Sequence, residues 1–153
     1  SNKYNMNIHS IKPADALNFL LAGKARFGLW NQHTDNRFEY EVNASMKEDG
    51  LYFVQLTKRA SNNEHLLGVI KRQYMRNDYI PRFAKQETIE SKAFQWLYKK
   101  LKNDYTLIPP YVVIYHLGRC ARCGRELTDP DSIERGFGSE CWRLLNFAQL
   151  THL

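Results

Sequence analysis

Hydrophobic and polar side chains alternate along the first half of the chain, as they do in strands with one buried face. In one stretch Phe38, Tyr40 and Val42 alternate with charged neighbours, and this period of two predicts a half-solvated strand. The predicted strands are 25–31, 37–46, 50–58 and 65–74. Because short polar turns separate them, we expect a four-stranded antiparallel meander.

Two helical patterns flank these strands. The first begins at Pro13 and ends at Gly23, in keeping with the preference of proline for the first turn and of glycine for the C-terminal cap. The second covers about 87–102 and should pack on the sheet. Its apolar side chains recur every four residues: Ile89, Ala93, Leu97 and Leu101. The predicted fold class is therefore α+β.

The last third of the chain begins with an apolar run at 111–115, which predicts a strand that ends at His116. Residues 77–86 are predicted to form only a connection, and 104–110 a break after the second helix. We expect an α+β domain at 1–110 and a metal-binding module at 111–153.

All three cysteines of the protein lie within this module. Cys120 and Cys123 form a Cys-x-x-Cys pair, and Gly124 supplies the positive φ that such a turn, or knuckle, usually needs. Cys141 follows in the first turn of a predicted helix. A knuckle followed by a helix that donates a ligand is typical of treble-clef zinc folds, so we predict one structural Zn²⁺ per chain.

A tetrahedral structural zinc site needs a fourth ligand. His116 is the preferred candidate because the predicted strand delivers it to the knuckle, and His152 is its competitor. Two other interpretations of the cysteines are less favoured. Unrelated core thiols rarely occur at this spacing, and a redox pair would leave the third cysteine without a role.

The motif from His116 to Cys141 resembles one that closes many small, uncharacterised phage and prophage proteins. It runs H-x-G-R-C-x2-C-G-R-x-L-T-x-P-x-S-I-x2-G-x-G-x2-C. A looser resemblance extends upstream, through a helix that ends in Ala-Gly, several short strands and the segment Lys92 to Leu97. The resemblance implies phage origin and zinc binding, supports His116 as a ligand and implies no known activity.

The net charge of +6 is unevenly distributed. Residues 56–102 carry eleven basic and four acidic side chains, whereas the segments before and after are close to neutral. This basic set, with aromatic residues Tyr74, Tyr79 and Phe83 between its members, could contact nucleic acid or another protein. Its predicted contact residues are Lys58, Arg59, Lys71, Arg72, Arg76, Arg82, Lys99 and Lys100. The opposing interpretation is an ordinary solvated helix face with core aromatics.

The knuckle has a basic set of its own, Arg119, Arg122 and Arg125. Acidic residues follow directly, and three thiolates with a neutral histidine give a bound zinc a net charge of about minus one. These arginines could simply balance that charge. Direct contact between the knuckle and phosphates is therefore not favoured by the sequence.

Catalysis has little support, because no Walker loop, H-E-x-x-H or paired-carboxylate motif is present and four closed ligands exclude a catalytic water. We expect a cytoplasmic protein, since the cysteines have metal spacing and no apolar run approaches the roughly 20 residues of a membrane span. Two functions remain. One is a non-catalytic phage accessory protein that contacts nucleic acid. The other is a protein-binding inhibitor of a host defence nuclease, comparable to anti-CRISPR proteins.

Overall fold

A computed structural model describes residues 9–57, 65–73 and 76–151, without the side chains of Gln73 and of 147–151. The helices are α1 (Pro13–Leu20), α2 (Ile89–Asn103), α3 (Pro130–Arg135) and α4 (Ser139–Thr151). The strands are β1 (His9–Ser10), β2 (Lys24–Asn31), β3 (Asn36–Ala44), β4 (Leu51–Leu56), β5 (Leu66–Gln73), β6 (Arg76–Pro81) and β7 (Val112–His116). Short 3₁₀ helices cover Phe83–Lys85 and Tyr105–Leu107.

The strands form one seven-stranded antiparallel sheet in the order β1-β7-β2-β3-β4-β5-β6. The mixed α and β content is as predicted, and β2 to β5 are the four expected strands. The prediction of a four-stranded sheet is wrong, because three further strands extend it at both sides.

The prediction that 77–86 form only a connection is wrong, because β6 covers Arg76–Pro81; β1 was not predicted, and β7 was predicted as a strand but not as part of this sheet. β6 ends at Pro81, and proline cannot donate a hydrogen bond to a neighbouring strand. The proline is tolerated here because β6 lies at the edge of the sheet. β7 lies between β1 and β2, with His116 opposite both His9 and Phe27. An apolar run predicts a strand but not its neighbours, so the position of β7 inside the sheet was not predictable from its pattern.

Helices cover one face of the sheet and enclose the core. Phe94 of α2 is fully buried, and its ring lies 5.4 Å from that of Tyr40 and 4.8 Å from that of Tyr79. The hydroxyl of Tyr40 donates to the carbonyl of Glu90 at 2.7 Å, and the hydroxyls of Tyr79 and Ser91 bond at 2.9 Å. The expected packing of the second helix on the sheet is therefore present.

The opposite face carries a polar and aromatic network. The guanidinium of Arg37 lies 4.6 Å from the ring of Trp30 and 5.5 Å from that of Tyr115. The hydroxyl of Tyr115 donates to Glu39 at 3.0 Å, and a Cβ on Gly28 would lie only 2.0 Å from the Tyr115 ring. The tyrosine thus occupies the space that the glycine leaves open.

The boundary predicted at residue 110 falls just before β7, a strand that lies inside the sheet. Cys120, Leu127, Phe137 and Cys141 belong to the same buried cluster as the sheet side chains. The segment that carries the cysteines therefore packs directly against the core. Within the described ranges, no helix is long and apolar enough to cross a membrane.

Candidate metal centre

The knuckle is shaped by hydrogen bonds across a tight turn. The amide of Cys120 donates to the carbonyl of Arg125 at 2.8 Å, and the amide of Gly124 donates to the carbonyl of Cys120 at 2.9 Å. Gly124 has a φ of 80°, a conformation that side chains disfavour. The predicted role of this glycine in closing the turn is therefore confirmed.

The knuckle docks on the start of β2 and on the end of α3. The amide of Lys24 donates to the carbonyl of Ala121 at 2.7 Å, and the amide of Ala121 donates to the carbonyl of Gly136 at 3.0 Å. Gly136 ends α3 with a φ of 79°, and a Cβ there would lie 2.7 Å from the ring of Phe19. Only glycine satisfies both the backbone conformation and this close approach.

These contacts bring the three cysteines together. Cys120 and Cys123 come from the knuckle and Cys141 from the first turn of α4, and their sulfur atoms all lie within 4.8 Å of one another. Zinc–sulfur bonds of about 2.3 Å in a tetrahedron place sulfurs roughly 3.8 Å apart. The cluster is therefore of the right size to hold a metal ion, and its thiol chemistry suits zinc.

The surroundings of Cys120 stabilise its thiolate. Burial raises its pKa, but backbone N–H groups of Cys123, Gly138 and Arg122 and the Cys123 side chain act on its sulfur, so the pKa is lowered overall. Hydrogen bonds to the charged form favour that form. The contact between the Gly138 backbone and the Cys120 sulfur was not predicted. The Gly-x-Gly sequence before α4 predicted only that a loop lies there.

Cys141 lies in a different environment. Burial raises its pKa, and the neighbouring sulfurs raise it further, while the guanidinium of Arg122 lowers it by bonding to Sγ at 3.5 Å. Arg122 is thus one of the arginines that balance the charge of the cluster. For Arg122 this agrees with the interpretation that the knuckle arginines balance the charge of the cluster.

The structure does not place His116 among the clustered ligands. Its side chain is buried, its Nδ1 accepts from the amide of Gly118 at 3.0 Å, and its Nε2 lies 2.5 Å from the carbonyl of Ile133. Both nitrogens are thus occupied, with Nε2 as the donor. In this structure the imidazole therefore connects β7 to α3, and the expectation that His116 completes the metal site stays a prediction.

No other side chain of the described ranges joins the three cysteines in a metal-binding group. His152, the competing candidate, lies outside the described residues. Thr151, the last residue of α4, is about 15 Å along the helix axis from Cys141 at 1.5 Å per residue. The helix therefore leads the chain away from the cluster.

The predicted partner-binding residues occupy several places. Lys71, Arg72 and Arg76 lie where β5 ends and β6 begins, at the end of the sheet that also contains Lys24; we call this the knuckle end. The C-terminal half of α2 reaches the same end, because the hydroxyl of Tyr98 donates to the carbonyl of Asn77 at 3.0 Å. Lys99 and Lys100 are on this part of α2.

The remaining members of that set are elsewhere. Arg82 follows the far end of β6 and donates to the carbonyl of Leu66 at 3.1 Å, while Lys58 and Arg59 lie outside the described residues. Neighbouring strand residues point to opposite faces, so Lys71 and Arg72 project on different sides. The set does not form one flat surface.

The two described aromatic residues of this set, Tyr79 and Phe83, do not form a platform for bases beside these cations. Tyr79 is only 9% exposed and packs on Phe94, and Phe83 is exposed but follows the far end of β6. Tyr74 lies outside the described residues. Cations without neighbouring stacked rings favour contact with phosphates over contact with bases.

Comparison with known protein families gives a match in the last third of the chain. Residues 113–146 match a family described only as a family of unknown function, DUF6011. No curated protein and no solved structure matches the chain. The matched segment contains all three cysteines, α3 and the start of α4, so the match covers the cysteine cluster and does not extend to β1–β6.

Proposed function

We propose that the cysteine cluster binds one zinc ion, and that this ion stabilises the fold without taking part in catalysis. The observation that carries the proposal is the convergence of three thiols from two separate elements to within 4.8 Å. Cys120 and Cys141 are buried and Cys123 is exposed. Zinc would neutralise most of the thiolate charge that this packing concentrates.

We further propose that the protein acts by binding, with nucleic acid as its partner. Support comes from the knuckle end of the sheet, which carries five basic residues: Lys71, Arg72, Arg76, Lys99 and Lys100. Lys99 and Arg76 are exposed, and Asp78 is the acidic residue that pairs there with Arg76 at 3.8 Å. A surface of this kind binds phosphates through counterion release.

Two measurements test these proposals separately. Elemental analysis of the purified protein should give about one zinc per chain, and a metal-free, fully folded protein would contradict the first. Fluorescence anisotropy with a labelled DNA duplex should show affinity that falls steeply with salt. Unchanged affinity between low and moderate salt, or absence of binding at low salt, would contradict the second.

A protein partner is the second candidate, and a groove of about 410 Å³ favours it. The groove lies between the first half of α2 and the ends of β2, β3 and β7. Its apolar lining includes Leu29, Phe38, Ile89, Ala93, Trp96 and Val112. Ile89 is 65% exposed and Trp96 36% exposed, as expected for anchors of a protein interface.

This candidate makes a distinct prediction. A pull-down from phage-infected host lysate treated with nuclease should recover one host protein, such as a defence nuclease, and Ile89→Glu should abolish the recovery. Met46→Glu provides the matched control, because Met46 is fully exposed and is not among the residues that line the groove. Equal recovery with both variants would exclude this groove as the contact.

A further inference from the structure

Four basic side chains surround the metal knuckle and lie apart from the predicted basic set on β5, β6 and α2. They are Lys24, Arg119, Arg122 and Arg125, and all four are exposed. Three come from the knuckle itself. The fourth, Lys24, comes from the first residue of β2, which only the tertiary structure brings to the knuckle through the bond between its amide and Ala121.

Two of these side chains are held in place by the knuckle backbone. The Lys24 stem lies against Gly124, because a Cβ on that glycine would be 3.3 Å from its Cδ. The guanidinium of Arg119 donates to the carbonyl of Gly124 at 3.2 Å. Side chains that are already ordered lose less conformational entropy on binding a ligand.

Two of the acidic side chains nearby have partners other than the four cations. Glu140 bonds to Arg143, and Asp129 accepts from the amide of Ser132 at 3.0 Å, where it caps α3. Glu126 lies opposite Arg119 in a short backbone bridge. Within the described ranges, no carboxylate is within 4 Å of the charged groups of Lys24 or Arg125.

The knuckle and the β5–β6 hairpin stand at the same end of the sheet. Three cross-strand pairs mark this end of the sheet: Lys24 of β2 with Asn43 of β3, Leu51 of β4 with Lys71 of β5, and Gln73 of β5 with Arg76 of β6. From β7, which leads into the knuckle, to β6 there are five strand intervals, or about 24 Å at roughly 4.8 Å each. The loop that joins β3 to β4 lies between them and exposes Lys47 together with Glu48 and Asp49.

We propose that the four knuckle cations contact the phosphate backbone of a nucleic-acid duplex, which extends along the knuckle end of the sheet toward β6. This inference rests on the proposed nucleic-acid function and adds the metal knuckle to its contact surface. A span of about 24 Å matches roughly seven base pairs at 3.4 Å each. Since the contacts are to phosphates, binding is independent of sequence.

The test is the double variant Lys24→Gln/Arg125→Gln, measured by anisotropy with a labelled 20-base-pair DNA duplex over a series of salt concentrations. Arg122 is retained because it bonds to the Cys141 sulfur. Loss of two phosphate contacts should reduce affinity about tenfold at low salt and make the salt slope less steep by about two. Zinc content and thermal unfolding of the variant should match those of the wild type.

The control is Lys85→Gln/Lys92→Gln, which removes the same charge from the far end of β6 and the first half of α2. It should leave the salt slope within about half a unit of the wild-type value. Equal losses in both double variants would overturn the inference while leaving nucleic-acid binding intact. A wild-type protein that does not bind the duplex would overturn both, and preference for a single strand of the same length would overturn the assignment to a duplex.

Discussion

Two regions of the molecule are stabilised by different interactions. One is the sheet together with α2, and the other is the knuckle segment, residues 117–141. The large, fully buried side chains are concentrated on the sheet, α1 and α2, where Tyr40, Phe27 and Phe94 pack together. The knuckle segment adds few large apolar side chains, and three of its backbone positions are glycines with positive φ. A segment with so little apolar area needs another source of stability, and the cysteine cluster can supply it through a bound metal.

The largest expected effect is loss of the metal. Cys120→Ser, or chelation of the wild-type protein, should unfold the knuckle segment while the central strands stay folded. The reason is that structural zinc contributes about 10–16 kcal/mol in small zinc-dependent folds. Hydrogen exchange measured by mass spectrometry should show lost protection in the knuckle segment and retained protection in β2 to β5.

Thr128→Ser is the matched control for the cysteine variant. Thr128 is exposed in the same segment, so its variant should retain zinc and full protection. If Cys120→Ser unfolded the sheet and the knuckle segment in one step, the two regions would not have separate sources of stability.

The second effect concerns the core of the sheet. Phe94→Ala should lower the free energy of unfolding by about 3–5 kcal/mol. The reason is that Phe94 is fully buried, so its removal leaves a large cavity surrounded by packed rings. Urea denaturation followed by circular dichroism measures the change. The zinc content per folded chain should be unaffected, since Phe94 is remote in sequence and contacts the sheet side chains.

Trp96→Ala on the same helix provides the comparison, because Trp96 is 36% exposed and its loss should cost distinctly less. If both variants lost the same free energy, burial of Phe94 would not be what stabilises this region.

The smallest effect is a pH dependence at the junction between the two regions. Burial lowers the pKa of His116, with a smaller lowering from His9 and an opposing contribution from the bond to Ile133. The folded state therefore prefers the neutral imidazole. Its contribution is complete above the ordinary histidine pKa of about 6.5 and is lost as the pH falls through the lower pKa of the folded state.

Chemical denaturation between pH 7 and pH 5 should show this loss, at no more than about 1.4 kcal/mol per pH unit. His116→Gln should remove that part of the pH dependence because glutamine does not titrate. Parallel profiles for the wild-type protein and the variant would show that His116 does not titrate in this range.

Much of the candidate site could be predicted from local spacing. The Cys-x-x-Cys-Gly turn and the helix that carries Cys141 depend on neighbouring residues, so the sequence pattern identified them. The contact between His116 and α3 could not be predicted. The position of His116 four residues before Cys120 suggests a ligand, but a strand directs its side chain by pairing, and β7 pairs so that the imidazole faces α3.

The sequence by itself determined the local features of this protein: five of the strands, the helices α1 and α2, the start of α4 and the three-cysteine motif. Period and turn chemistry act over a few residues, so they can be read from the chain. Only the tertiary structure decided that β7 lies inside the sheet, that His116 braces α3, and that Lys24 adjoins the knuckle. These features depend on which distant segments pair, and pairing is determined by the packing of the whole core.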